Sequence, residues 1–207
     1  MLRGLAAESL LDSYDQERGF AADENIREST RSTDFMTPKS RASKLLRQAV
    51  LGLAIEHPFA RALVNSGRLS VPTWLVDSPL NTPDADADAD ADAFNGWMVP
   101  GAPADDAPLP DGRWLLGEIP AQFTLLLFAG EATREQQQAI DALAELRPPI
   151  TTLKLAPQGP AAERYDARPG TCVLLRPDQH VAARWRTLDI SAVRAALRRA
   201  TSSKLPC

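Results

Sequence analysis

The pattern of apolar and polar positions divides the chain into three stretches of different character. In the first, Leu5, Leu10, Leu11 and Tyr14 recur on one side at helical spacing and predict a helix over residues 5–31. A second helix is more fully signalled. Thr37 is its expected cap, Pro38 suits its first position, Leu45, Leu46, Ala49, Val50 and Leu53 form its apolar stripe, and it should stop before Pro58. Asn65-Ser66-Gly67 reads as a turn. Between Arg68 and Pro120 the periodicity fades, and only Val71 and Trp74-Leu75-Val76 suggest short strands.

From Gly112 strands and helices alternate. Phe123 to Phe128 is apolar almost throughout, as a central strand buried on both faces should be. Thr133 and Gln136 form a capping box for a helix whose Ile140, Leu143, Ala144 and Leu146 should face the sheet, and Pro148-Pro149 stops it. Ile150 to Leu155 is a second strand. Thr171 to Trp185 reads as a hairpin, with Pro177 and Asp178 in its turn. Asp189 caps a last helix that turns Ile190, Val193, Ala196 and Leu197 inward and Arg194, Arg198 and Arg199 outward. The order β-α-β, then β-β-α, is the core of a thioredoxin fold. The expected fold class is therefore α/β: a helical segment over 1–70, a Pro-rich linker over 71–111, and a thioredoxin-like domain over 112–203.

Composition narrows the function classes. The chain has 207 residues, 44% of them hydrophobic, and a formal net charge of −4 with pI near 5.3. That balance argues against a nucleic-acid or anionic-membrane partner. No apolar run reaches the length of a membrane span, and no signal-peptide core is present, so the cytoplasm is the expected location. Asp84-Ala85-Asp86-Ala87-Asp88-Ala89-Asp90-Ala91-Asp92 places carboxylates at every second residue. A calcium loop needs glycine at its sixth position and glutamate at its twelfth, and neither register from Asp84 or Asp86 supplies them. The stretch reads as a solvated acidic insert.

A thioredoxin-like order invites a test for redox chemistry. The reactive dithiol of that fold follows the first central strand, at a helix start that lowers the thiol pKa. Here the place reads Phe128-Ala129-Gly130-Glu131-Ala132-Thr133, and Gly170 precedes Thr171 where redox members carry a cis-proline. Cys172 then reads as a small hydrophobic strand residue, and Cys207 as an unpaired last residue. His57 reads as structural, at a helix end. His180 has no second ligand at metal spacing. No serine sits in a nucleophile elbow and no Gly-rich loop follows a strand. Trp74, Trp97, Trp114 and Trp185 read as packing anchors. No catalytic, cofactor-binding or metal-binding residue is assigned.

Two segments together carry a resemblance. One is Leu2-Arg3-Gly4-Leu5-Ala6 followed by Leu10-Leu11-Asp12-Ser13-Tyr14-Asp15-Gln16-Glu17-Arg18. The other is Arg176-Pro177-Asp178-Gln179-His180-Val181-Ala182-Ala183-Arg184-Trp185, with Tyr165-Asp166 upstream. With Ser66 to Pro72, Asp77 to Leu80 and Pro100 to Asp105 between them, they resemble the C-terminal part of class A FAD-dependent aromatic hydroxylases, such as phenol hydroxylase and 3-(3-hydroxyphenyl)propionate hydroxylase. Gly19 and the Asp-Ala insert depart from that pattern. The resemblance implies FAD, NAD(P)H and O2 in the full-length family, a phenolic substrate, and a place in aromatic compound catabolism. It also implies that all three flavin-holding motifs lie upstream of Met1, so this chain by itself is expected to bind no FAD and to be inactive. Its implied partner is the upstream FAD-binding and substrate domain, with a homodimer as a further candidate. Residues 1–70 should accordingly be the less stable part. The alternatives are a stand-alone, redox-inactive thioredoxin-like interaction module, and a redox enzyme using Cys172.

Overall fold

A computed structural model describes residues 6–64, 72–84, 93–130 and 134–202. The Asn65-Ser66-Gly67 turn, the Val71 strand, the Thr133 cap, Cys207 and the insert from Ala85 to Asp92 lie outside the described residues. The chain forms two compact units, one of residues 1–16 with 74–207 and one of residues 17–73. The boundary falls inside helix α1, Leu10–Met36.

Helix α1 begins and ends five residues later than its periodicity predicted, and it ends there because nothing stops it before the Thr37-Pro38 pair. Helix α2, Arg41–Glu56, starts three residues after the predicted position. Ser40, not Thr37, is its cap: the Ser40 hydroxyl accepts the Ser43 N–H at 3.0 Å. The Thr37 hydroxyl is committed elsewhere, donating back to Thr33 O at 2.7 Å. Helix α2 ends at Glu56 as expected, with His57 as its C-cap. A short helix α3, Pro58–Val64, follows, with proline at its first position.

The other unit is built on a four-stranded sheet. Its elements in order are α4 (Leu115–Glu118), β1 (Thr124–Phe128), α5 (Arg134–Ala144), β2 (Thr151–Leu155), α6 (Pro160–Arg164), β3 (Cys172–Leu175), β4 (Val181–Trp185) and α7 (Ile190–Ala200). The strand order is β2-β1-β3-β4. β1 runs parallel to β2 and antiparallel to β3, and β3 runs antiparallel to β4. Parallel pairing of β1 and β2 requires a crossover, which α5 supplies.

Strand alternation divides the core in two. Leu125, Leu127, Cys172 and Leu174 pack with Leu143 of α5 and with Val193, Ala196 and Leu197 of α7. Leu126, Phe128, Val173 and Leu175 pack on the other face with Leu115, Met98, Ala102, Ala107 and Tyr165. β1 is therefore buried on both faces, as its continuous apolar run predicted. The Asp189 cap of α7 is as expected, accepting the Ser191 N–H at 2.8 Å.

Two expectations fail here, and one short helix was not foreseen. Ala144 is exposed, because α5 ends there, whereas Ile140, Leu143 and Leu146 reach the core as expected. Helix α6 had no periodic signal, since five residues are too few to show one. The stretch from Trp74 forms no strand and does not act as a simple linker. Leu75, Leu80, Met98, Ala102 and Ala107 are buried, and the Leu75 N–H donates to Gly101 O at 2.8 Å. Gly101, at φ +91°, is required there: a Cβ would come within 2.3 Å of Leu75 O.

Candidate functional site

The fold brings together the two positions at which a redox site would form. The Phe128 N–H donates to Thr171 O, and the Gly170 N–H donates to Phe128 O, both at 2.8 Å. Ala129 and Gly130 therefore lie beside Gly170, with no thiol at either position. Cys172 lies one strand position further into the sheet, fully buried, its thiol donating to Thr187 O at 3.7 Å. Burial, with a smaller contribution from Asp189, pushes that thiol up to about 12. A nucleophilic thiolate needs the opposite environment, so the reading of Cys172 as a reactive thiol does not hold.

The hairpin turn gathers charged groups. The Arg176 guanidinium donates to both Asp178 oxygens, at 3.1 and 2.7 Å, and His180 Nδ1 lies 3.5 Å from Asp178 Oδ1. Burial alone would raise the Asp178 carboxyl. The His180 hydrogen bond and the Arg176 charge outweigh it and hold the group well below the usual carboxylate range. Gln179 adopts φ +63°, and the Gln179 N–H closes the turn on Arg176 O at 2.9 Å. The geometry of this cluster is that of a stapled turn. Nearby, the buried Tyr165 hydroxyl donates to Asp105 O at 2.9 Å, and burial raises its pKa.

A second cluster was not anticipated from the sequence. Arg184 and Arg186 sit two apart and so on one side of the β4 strand line. The Arg184 side chain, only 3% exposed, donates Nε to Asp84 Oδ1 at 3.0 Å and Nη2 to Asp84 Oδ2 at 2.6 Å. Arg186 Nη2 donates to Asp166 Oδ2 at 2.8 Å and to Ala93 O at 2.7 Å. The two guanidinium carbons lie 4.3 and 3.7 Å from the centroid of the Phe94 ring. Burial acts to raise the Asp166 carboxyl, but the Asn95 N–H and Arg186 hold it below its ordinary value. Gly96 lets this packing close, since a Cβ would meet the Asp166 Cβ at 2.8 Å. Its sequence signal was the Arg-Trp-Arg alternation in a strand, which puts two cations on one side and so demands carboxylates from elsewhere.

The remaining candidates are structural. His57 caps α2, its ring stacked on Phe59 at 5.7 Å. Among the described residues no group of three His, Cys, Asp or Glu could hold a metal ion. No described helix is long and apolar enough to cross a membrane. Trp74 and Trp185 pack against the core as anchors. Trp97 and Trp114 do not, being 57% and 54% exposed, because each sits in a loop or at a helix start without a covering element. An open cleft of about 480 Å³ lies between Pro108–Arg113 and Lys154–Ala161. Its two cations are engaged: Arg113 with Asp111 and Glu118, Lys154 with Gln137.

No protein-family model and no curated protein matches the sequence. Solved structures do. RebC, a rebeccamycin biosynthetic enzyme, in a crystal soaked with chromopyrrolic acid, aligns with a TM-score of 0.65 and 22% identity, over 97% of this chain and 38% of that one. The flavin-dependent monooxygenase PieE, in complex with FAD and substrate, aligns with a TM-score of 0.64 and 21% identity, over 97% and 41%. Aklavinone-11 hydroxylase, in a ternary complex with FAD and aklavinone, aligns with a TM-score of 0.64 and 20% identity, over 97% and 37%. The chain thus spans well under half the length of each. It has the fold of a portion of these flavin-dependent enzymes, the group to which its Leu-Leu-Asp-Ser-Tyr and Arg-Pro-Asp-Gln-His stretches pointed.

Proposed function

We propose that the chain is the C-terminal portion of an FAD-dependent monooxygenase that hydroxylates a phenolic aromatic ring with NAD(P)H and O2, and that its own contribution is packing rather than chemistry. The observation that carries this reading is α2. It presents Leu45, Leu46, Leu51, Leu53 and Ile55, all at least 43% exposed, and has no buried residue. Large apolar side chains exposed in that number on one helix are made to be covered. Coverage of nearly the whole chain by one part of flavin enzymes supports an FAD- and substrate-binding domain as the cover. The sheet unit is then a thioredoxin-like domain without redox function. Its strand order and the absence of a thiol after β1 support that assignment.

The residues present do not fit the flavin itself. No Gly-rich turn follows β1, and the open cleft is walled by Pro108, Pro110 and Pro160 rather than by an aromatic face or a long helix N-terminus. No step of the reaction is therefore assigned to these side chains. In the whole enzyme the flavin would supply the oxidation, and the protein would bind and orient it and exclude water. The test compares the 207-residue chain with one extended by the reading frame upstream of Met1. The short chain should purify without flavin absorbance. The extended one should carry FAD and consume NAD(P)H when a phenol is added. Near-stoichiometric flavin on the short chain would overturn the reading.

A further inference from the structure

The sheet has two edges, and the chain treats them differently. Along β2 no further strand pairs among the described residues. Along β4 two irregular segments are laid down. The Thr82 N–H donates to Ala182 O at 2.8 Å, and the Gly101 N–H to Val181 O at 2.7 Å. The Val181 N–H donates to Ala102 O at 2.9 Å, and the Ala104 N–H to Gln179 O at 2.8 Å. Residues 74–84 and 93–104 thus occupy the hydrogen-bonding positions that a fifth strand would take. Unpaired edges of this kind invite pairing with other chains, and covering them is a recurrent solution.

The two segments are fastened at one place. Asp84, at the end of the first, accepts from Arg184. Ala93 and Phe94, at the start of the second, meet Arg186 and the faces of both guanidinium groups. Gly96 O accepts from Arg184 Nη1 at 3.2 Å, and the Asn95 N–H donates to Asp166 at 2.9 Å. The chain therefore leaves and rejoins the sheet at a single cluster. All of these groups except Asp84 and Asp166 lie in Ala93–Gly96 or on the arginines themselves.

We propose that residues 74–84 and 93–104 form a strap that closes the β4 edge, and that Arg184 and Arg186, gripping Asp84, Phe94 and Asp166, are its latch. Aspartates 86, 88, 90 and 92 carry four negative charges, as many as the whole chain's net charge of −4. A diffuse attraction between them and the two arginines is the rival explanation, and it predicts a different response to substitution.

Amide hydrogen exchange separates the two. The Val181 amide reports the strap, because its acceptor is Ala102 O, and the Phe128 amide reports the sheet interior, because its acceptor is Thr171 O. In the Arg184→Gln/Arg186→Gln variant Val181 should exchange at least about tenfold faster relative to Phe128, the signature of a local rather than a global opening. In the variant carrying Asp→Asn at 86, 88, 90 and 92 the ratio should stay unchanged. An unchanged ratio in the arginine variant overturns the proposal, and so does equal loss in the four-aspartate variant. Should the arginine variant lose protection at Phe128 as well, Phe94→Ala decides. It keeps every ion pair while removing the ring between the guanidinium groups, and it should speed Val181 alone. No change there would also overturn the latch.

Discussion

The sheet unit and the helical unit spend similar residues to opposite effect. Leu125, Leu126, Leu127 and Leu174 are fully buried, while Leu45, Leu46 and Leu53 of α2 are 59%, 64% and 45% exposed. Both segments carry the apolar pattern proper to their secondary structure. The difference is in what faces them: β1 has a strand on each side and packed side chains on both faces, whereas no residue of α2 is buried. Amphipathic pattern therefore states a demand for burial, and only the surrounding chain shows whether it is met.

The sharpest way to break this contrast is to truncate one leucine in each unit. Leu127→Ala should cost about 2–5 kcal/mol, the usual range for a fully buried leucine. Leu46→Ala should change stability by less than about 0.5 kcal/mol, as exposed substitutions do. Denaturant unfolding of both variants reads the difference, and equal losses would dissolve the contrast. A second test uses the buried thiol. Cys172 should resist alkylation until the sheet opens, so its labelling rate should follow denaturant concentration as unfolding does. Rapid labelling in the native chain would place the thiol at a surface after all.

Smaller effects sharpen the same comparison. Asp189→Ala and Ser40→Ala each remove a helix cap, with an expected cost of about 1 kcal/mol to the helix concerned. The first should lower the main unfolding midpoint of the sheet unit. The second should reduce helicity measured by circular dichroism without moving that midpoint, because α2 contributes no buried side chain to it. The smallest effect concerns acid. Asp178 is held below its unfolded value of about 3.9, so its contribution is fully present above that value and fades as pH falls through the folded one. Asp178→Asn should leave a flatter stability profile below about pH 4, and an unchanged profile would show that the stapled turn does not couple to folding.

How far the sequence could be read follows from how local each signal was. The apolar run from Phe123 to Phe128, the Pro177-Asp178 turn and the Asp189 cap each act within a few residues, and all three stand where expected. The start of α2 was misplaced by three residues because Thr37 and Ser40 are both good caps, and only the commitment of Thr37 to Thr33 O distinguishes them. The strap of residues 74–84 and 93–104 was illegible for a stronger reason. Its bonds join Thr82 to Ala182 and Asp84 to Arg184, a hundred residues apart, and it has no repeating period to detect. Trp97 and Trp114 show the converse error, since a large aromatic residue suggests an anchor whether or not anything covers it.

The sequence by itself determined the strands and major helices of the sheet unit, the missing thiol after β1, and the likeness to flavin-dependent hydroxylases. All of these are properties of neighbouring residues or of their order. Tertiary structure alone decided that the β4 edge is closed, that Arg184 and Arg186 converge on Phe94, and that Cys172 is sealed within the sheet. It also showed that the stripe of α2 lies open. Burial and ion pairing depend on which distant groups arrive at the same place, and no local pattern encodes that arrival.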